Sequence, residues 1–236
     1  MMPCRRVTAG SRSIRTGASA PAWNALPMMT TDWSSTALAT DDPDLIYLHG
    51  FRSAPASEKA RELDAWLHES GYRGQWFIPQ LATTPAGVEA QLAGLIEEAP
   101  GSGPGLIGSS LGGFFAMVMA ERYGLPAVLI NPAAHPYRLM EESLGEHTNL
   151  YTGESFHVTE EHVHQLKAMD PGVLSHPERL MVLLETGDET LDYRQAAERF
   201  TASKLVVHEG GNHRYTRFRQ ELPMMMDFLR RGVSPQ

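Results

Sequence analysis

The chain has 236 residues, 42% of them hydrophobic and 20% charged, a globular composition of a length that suits one sizeable α/β core. With 20 Lys and Arg against 28 Asp and Glu the net charge is −8, so there is no basic footprint for nucleic acid. Cys4 is the single cysteine, which excludes an intramolecular disulfide and a thiolate metal cluster within one chain, and favours a reducing compartment such as the cytoplasm. No stretch reaches the ~18 consecutive apolar residues that a membrane span requires.

The first 31 residues hold no acid but four arginines, Arg5, Arg6, Arg12 and Arg15, among Ser, Thr, Ala and Gly. Such a segment reads as a disordered tail, an Arg-rich transit peptide, or an upstream extension from a start set too early, since Met28 or Met29 could begin a chain. The composition favours the first or third reading, and the boundary is expected near residue 40. Arg5-Arg6 is not followed by an apolar run, which argues against twin-arginine export. Without this arm, 16 basic residues face 28 acidic ones, a body charge of −12 that anionic membranes would repel.

From residue 41 to about 232, short apolar runs alternate with segments of helical period, the pattern of strand-helix units around a mostly parallel sheet with helices on both faces. Leu45 to Leu48 reads as a first buried strand. Ser57 to Ser70 follows as a helix with Ala60, Leu63, Trp66 and Leu67 on one face and Gly71 as its stop. Trp76 to Ile78 is a second strand, and Pro85 to Glu98 a helix carrying Val88, Leu92, Leu95 and Ile96. A third strand centres on Leu106-Ile107 and leads into a helix from Ser110 to Tyr123, stopped by Gly124. Ala127 to Ile130, Leu180 to Leu184 and Leu205 to His208 complete six strands, with further helices near Tyr193 to Thr201 and Phe218 to Leu229. The roughly fifty residues between Asn131 and Leu180, rich in His, Glu, Pro and Tyr, exceed an ordinary connection by far. A small cap over about 134–178 is expected there.

Gly108-Ser109-Ser110-Leu111-Gly112 fits G-x-S-x-G between a strand and a helix, the context in which the pattern marks a nucleophile turn rather than an ordinary glycine-rich connection. Ser110 is the candidate nucleophile. The helix N-terminus behind it aims free N–H groups at any oxyanion beside the serine, with Leu111 N–H as the first donor. A hydroxyl needs a base, and the base needs a partner to hold its tautomer. Thr186-Gly187-Asp188-Glu189 closes the fifth strand and Gly210-Gly211-Asn212-His213 follows the sixth. Both lie past strand C-terminal ends, where open α/β sheets form their ligand crevice. Asp188 is assigned as orienting acid and His213 as base. Asp192 and Glu189 compete for the acid's role, but both read as cap or first-turn acids of the following helix.

The first strand ends in His49-Gly50-Phe51-Arg52-Ser53. Gly50 lets this loop approach a substrate carbonyl, and Phe51 N–H becomes the second oxyanion donor. His49 reads as a backbone-bonded histidine beside the substrate rather than a proton carrier. Arg52 is either a solvated charge or a contact for an acidic substrate group. His157, His162, His164 and His176 in the insertion invite a metal reading, but His162 and His164 differ by two positions and no H-E-x-x-H pair exists, so no metal is expected. Tyr137, Leu144, Tyr151, Phe156 and Val163 either line an acyl pocket or pack the cap onto the body, and Tyr137 is taken as substrate-binding.

From Leu45 to Leu229 the chain resembles the YqiA-type esterases, small bacterial α/β-hydrolases. The resemblance rests on Ile46-Tyr47-Leu48-His49-Gly50-Phe51, Ile78-Pro79-Gln80-Leu81, Gly108-Ser109-Ser110-Leu111-Gly112-Gly113, Asn131-Pro132-Ala133, Tyr151-Thr152-Gly153, Thr186 through Ala196, and Glu209-Gly210-Gly211-Asn212-His213. It implies an α/β-hydrolase sheet, hydrolysis of carboxylic esters with some reach to acyl-CoA thioesters, and triad roles on Ser110, Asp188 and His213. No cofactor is needed, and the expected partner is a small acyl ester. The chain departs from the family pattern in its N-terminal arm. It also reads Asn149-Leu150-Tyr151 where a proline is expected before the tyrosine, which predicts a looser cap. A non-catalytic binding protein of the same fold, or a hydrolase of an amide or lactone, are the alternative readings.

Overall fold

Residues 42–233 are described by a computed structural model. The N-terminal arm, with Cys4 and the candidate starts, lies outside the described residues. Six strands pair in parallel in the order β2-β1-β3-β4-β7-β8: β1 (Leu45–Leu48), β2 (Trp76–Phe77), β3 (Gly105–Ser109), β4 (Ala127–Ile130), β7 (Leu180–Glu185) and β8 (Lys204–His208). Every position of β1, β3, β4 and β7 is buried, as expected of strands covered on both faces.

The pleat sorts these residues by parity. Leu45, Tyr47, Ile107, Val128, Ile130, Met181 and Leu183 face α1 (Glu58–Ser70) and α7 (Phe218–Val233). Ile46, Leu48, Leu106, Leu129, Val182 and Leu184 face α2 (Pro85–Glu98), α3 (Leu111–Tyr123) and α6 (Tyr193–Arg199). The residues of α3 from Gly112 to Ala120 are all buried, so this helix shows no amphipathic stripe. Among the described residues, no helix is long and apolar enough to cross a membrane.

The chain leaves β1 for β2 on one side and returns to β3 on the other. This reversal opens a crevice at the carboxyl ends of β1 and β3. The long insertion between β4 and β7 folds as α4 (Pro136–Glu141), an antiparallel hairpin of β5 (Gly145–Thr148) and β6 (Ser155–Val158), α5 (Glu160–Met169) and a 3-10 turn at Pro177–Arg179. Its Met140, Val158, Val163 and Leu166 join the core on the α2–α3 face. The sequence pattern offered no hairpin here, because GEHT and SFHV are short and mostly solvent-facing.

Candidate active site

Ser110 stands between β3 and α3 with φ 56° and ψ −121°, a conformation that non-glycine residues seldom adopt. Its surroundings over-determine it. Ser110 N donates to the Ile130 carbonyl at 3.0 Å, and Ser110 O accepts from Gly113 N at 2.9 Å and Ala133 N at 3.1 Å. The two flanking glycines are needed for close approach: a Cβ on Gly108 would run into the Gly112 carbonyl, and one on Gly112 into the Leu48 carbonyl. The turn therefore lifts the hydroxyl clear of the sheet and packs its own backbone tightly beneath.

The loops after β7 and β8 bring two further side chains to this hydroxyl. His213 Nε2 lies 3.1 Å from Ser110 Oγ, and His213 Nδ1 lies 2.8 and 2.9 Å from the two oxygens of Asp188. Asp188 is almost fully buried at its side chain, and its Oδ1 also accepts from Thr190 N at 2.9 Å and Leu191 N at 2.8 Å. A carboxylate at Nδ1 draws the proton of the neutral ring to that nitrogen and leaves the lone pair of Nε2 facing the serine. The competing acids are placed elsewhere. Asp192 caps α6, accepting from Arg194 N at 3.1 Å, as its position predicted. Glu189 is no helix-start acid: α6 begins only at Tyr193, and Glu189 Oε2 accepts from the His213 backbone N at 2.9 Å instead.

On the other side of Ser110 runs the turn after β1. A Cβ on Gly50 would come within 3.3 Å of Ser110 Cβ, so the loop passes directly beside the serine. Ser53 N closes a turn on Gly50 O at 3.3 Å, with Arg52 in the left-handed region at φ 57°. His49 is buried, its Nδ1 3.0 Å from Gly50 O and its Nε2 accepting from Leu81 N at 3.2 Å. Burial lowers its pKa, a shift the Gly50 contact only partly opposes. A neutral His49 thus donates to Gly50 O, and because a trans peptide sets C=O and N–H opposed, it also fixes the direction of Phe51 N–H. Leu111 N–H occupies the first position of α3, where a helix supplies no acceptor of its own.

Beside these amides lies a cavity of about 320 Å³. Its wall combines Gly50, Phe51, Arg52 and Leu111 with Leu81 and Val88 from the body, Phe115 from α3, and Met140, Phe156 and Leu166 from the cap. Tyr137 does not reach it. That side chain lines a separate polar cleft with Arg138 and Asp170; its hydroxyl is 3.2 Å from His135 Nδ1, and Lys167 Nζ sits 5.6 Å from its ring centroid. Aromatic character alone does not tell which side of the insertion a residue faces. Arg52 serves as a tie to the cap: its Nε donates to Thr148 O at 3.0 Å, and its carbonyl accepts from Leu150 N at 3.0 Å. Leu150 stands where the resemblance leads one to expect a proline, and its N–H donates a bond that a proline could not. Asn149 adds a bond from Nδ2 to Ser53 O at 2.8 Å. Among the described residues no group of His, Cys, Asp and Glu could hold a metal ion, and His162 closes a capping box at the start of α5.

Three residues to which the sequence assigned no role of their own also belong to the site's frame. Asn131, Glu185 and Asn149 are buried polar side chains at the ends of β4, β7 and β5. For Asn131 and Glu185 the signal is a polar residue closing an apolar run, which local patterning treats as an ordinary strand end; Asn149 follows the polar run GEHT and carries no such signal.

Comparison with known proteins adds the family and the fold. The model of the family described as "Uncharacterised protein family (UPF0227)" matches residues 44–230. Among solved structures, the chain is similar to Est1E from Butyrivibrio proteoclasticus, at 14% identity and TM-score 0.60, over 82% of this chain and 89% of that one. It is also similar to mouse alpha/beta hydrolase domain-containing protein 10, at 17% identity and TM-score 0.60, over 84% and 93%. The esterase domain of a Rhodothermus marinus protein matches at 17% identity and TM-score 0.56, over 81% and 88%. Likenesses at these identities show the α/β-hydrolase fold.

Proposed function

The chain belongs to the UPF0227 family, the YqiA-like esterases, and from that premise we propose that it is a serine esterase acting through Ser110, His213 and Asp188. The observation that carries this reading is the continuous line from Ser110 Oγ through the His213 ring to the Asp188 carboxylate, at 3.1 and 2.8 Å. Ser110 Oγ attacks the ester carbonyl carbon while its proton passes to His213 Nε2. Asp188 balances the imidazolium charge from the far side of the ring. The carbonyl oxygen, now negative, faces Leu111 N–H and Phe51 N–H. Collapse of the adduct breaks the bond to the leaving oxygen, which takes the proton back from His213 and departs as an alcohol. Water repeats the sequence on the acyl-enzyme and releases the acid.

The proton route also orients the substrate. His213 must reach the leaving oxygen, so the alcohol lies toward the β7 and β8 loops, and the acyl group lies on the opposite side. The cavity beside Phe51 and Leu111, to which neither of those loops contributes, suits the acyl group. At about 320 Å³ it falls at the low end of ligand pockets, roughly 300–1,000 Å³, and its apolar wall suits short acyl chains. Oxygen esters rank before acyl-CoA, because the acidic body would repel a polyphosphate and Arg52 Nε is engaged with the Thr148 carbonyl.

The test is hydrolysis of a p-nitrophenyl ester series and an acyl-CoA series by the native chain and Ser110→Ala. Loss of about 10⁴-fold or more in kcat with the fold intact is expected by analogy with triad knockouts. Undiminished turnover by Ser110→Ala removes the assignment, and failure of native protein to react with a fluorophosphonate favours a binding role.

A further inference from the structure

The segment that carries His213 is held by an anchor that the esterase reading does not use. Glu185, the last residue of β7, is wholly buried, a position that is costly for a carboxylate unless its oxygens are satisfied. They are. Oε2 accepts from Asn212 N at 2.8 Å and Thr216 N at 3.0 Å, and Oε1 accepts from Thr216 Oγ1 at 2.6 Å. Burial pushes this carboxyl up, but the Thr216 hydroxyl and the amides of Thr216, Asn212 and Arg217 outweigh it and hold the group below its ordinary value, so it stands ionised.

Asn131 works from the neighbouring strand end. Its backbone is left-handed at φ 38°, a conformation asparagine tolerates. Its Nδ2 donates to Asn212 O at 3.1 Å and His213 O at 3.3 Å, while its Oδ1 accepts from Glu185 N at 3.0 Å. The two side chains are thus linked. Glu189 takes His213 N, Asn212 Oδ1 takes Arg214 N at 2.9 Å, and Lys59 Nζ donates to Arg214 O at 3.0 Å. From Asn212 to Arg214 every backbone donor and acceptor therefore meets a side chain, and no regular secondary structure is involved. A segment fixed in this way has few alternative conformations to visit.

We infer that Glu185 and Asn131 are positioning residues for His213: they clamp residues 212–214 so that the imidazole keeps its place between Asp188 and Ser110. The inference rests on the serine esterase reading and adds a pair that touches neither substrate nor the triad side chains. Neither residue lines the cavity, so the clamp acts on the chemical step rather than on substrate binding.

The experiment measures kcat and KM on a short p-nitrophenyl ester for Glu185→Gln and Asn131→Gly, each in the native chain and in a His213→Ala background. Gln puts an amide where the carboxylate met donors on both oxygens. Gly deletes the Asn131 side chain at a φ it accepts, and it carries the test should Glu185→Gln fail to fold. A displacement of the ring by about 1 Å costs on the order of 10²-fold in kcat, with KM nearly unchanged. In the His213→Ala background the same substitutions should cause no further loss, since the group they position is gone. Native kcat in folded variants, or an equal loss in the His213→Ala background, overturns the clamp. Full activity of His213→Ala alone instead removes the esterase reading, and the clamp falls with it.

Discussion

The two walls of the crevice are built in different ways. The base, formed by the ends of β1, β3, β4, β7 and β8, is fixed by buried contacts: glycine backbones in contact at 108 and 112, a left-handed serine bonded from three sides, and a histidine loop held by Asn131 and Glu185. The cap is held instead by side-chain bonds and packing spread along its length, including the buried Arg199–Asp170 pair. Arg52 and Asn149 bond carbonyls across the junction, the Phe51 ring meets Phe156 edge-on at 5.6 Å, and Ala86 N donates to Gln165 Oε1 at 3.1 Å. The β1 and β3 ends of the base and the cap border the same cavity. On the proposed esterase reading, bond-breaking falls to the wall of close-packed backbone and acyl preference to the wall built of side chains from the insertion.

That contrast can be broken most severely at the base. Gly112→Ala places a methyl group against the Leu48 carbonyl, backbone that cannot move without displacing β1. A loss of about 3 kcal/mol or more in unfolding free energy is expected, with esterase turnover falling because β1 leads into the Gly50–Phe51 turn proposed to face the oxyanion. Denaturant titration checks it, and native stability would mean that the turn is less tightly packed than this account requires.

A smaller effect is expected at the cap. Asn149→Ala removes the bond to Ser53 O and two bonds that its Oδ1 accepts from Tyr151 N and Thr152 N. Stability should fall by about 1–2 kcal/mol. KM and the acyl-length profile should shift while kcat on the shortest ester stays within a few-fold. A collapse of kcat with an unchanged profile would place the cap within the chemical machinery and erase the contrast.

The smallest effect concerns pH. Burial holds the folded pKa of His49 below that of an unfolded histidine, about 6.5. Its contribution to stability is therefore complete above that value and is lost as pH falls from there through the folded pKa, where the unfolded chain binds a proton that the native ring resists. Protonation also removes the acceptor that Leu81 N uses. His49→Gln, which does not titrate, should show a shallower loss of stability with acid than the native chain. His135 and His162 are shifted in the same direction and stay in both proteins, so the comparison isolates His49. Identical acid slopes would mean that His49 does not hold the turn as a neutral ring.

Much of the molecule is written in local pattern. The apolar runs from Leu45, Leu106, Ala127 and Leu180 are buried on both faces, so composition alone marks them as strands, and Gly71 and Gly124 end their helices in the left-handed conformation that glycine accepts most readily. Ser110 is legible because its turn needs glycines at fixed spacing, and Asp188 and His213 because each sits a few residues beyond a recognisable strand. What distance along the chain hides, only the tertiary structure decided. Tyr137 and Phe156 look alike as aromatic residues of one insertion, yet only Phe156 turns to the cavity, since that depends on how α4 and the hairpin settle on the body. Nothing near Leu150 in sequence announces that its amide meets the carbonyl of Arg52, 98 positions away. Glu185 and Asn131 read as strand ends, because their partners in the β8 loop are distant in sequence and burial without a local mate leaves no local signature. Periodicity reports which face a residue turns inward, and only packing reports what it meets there.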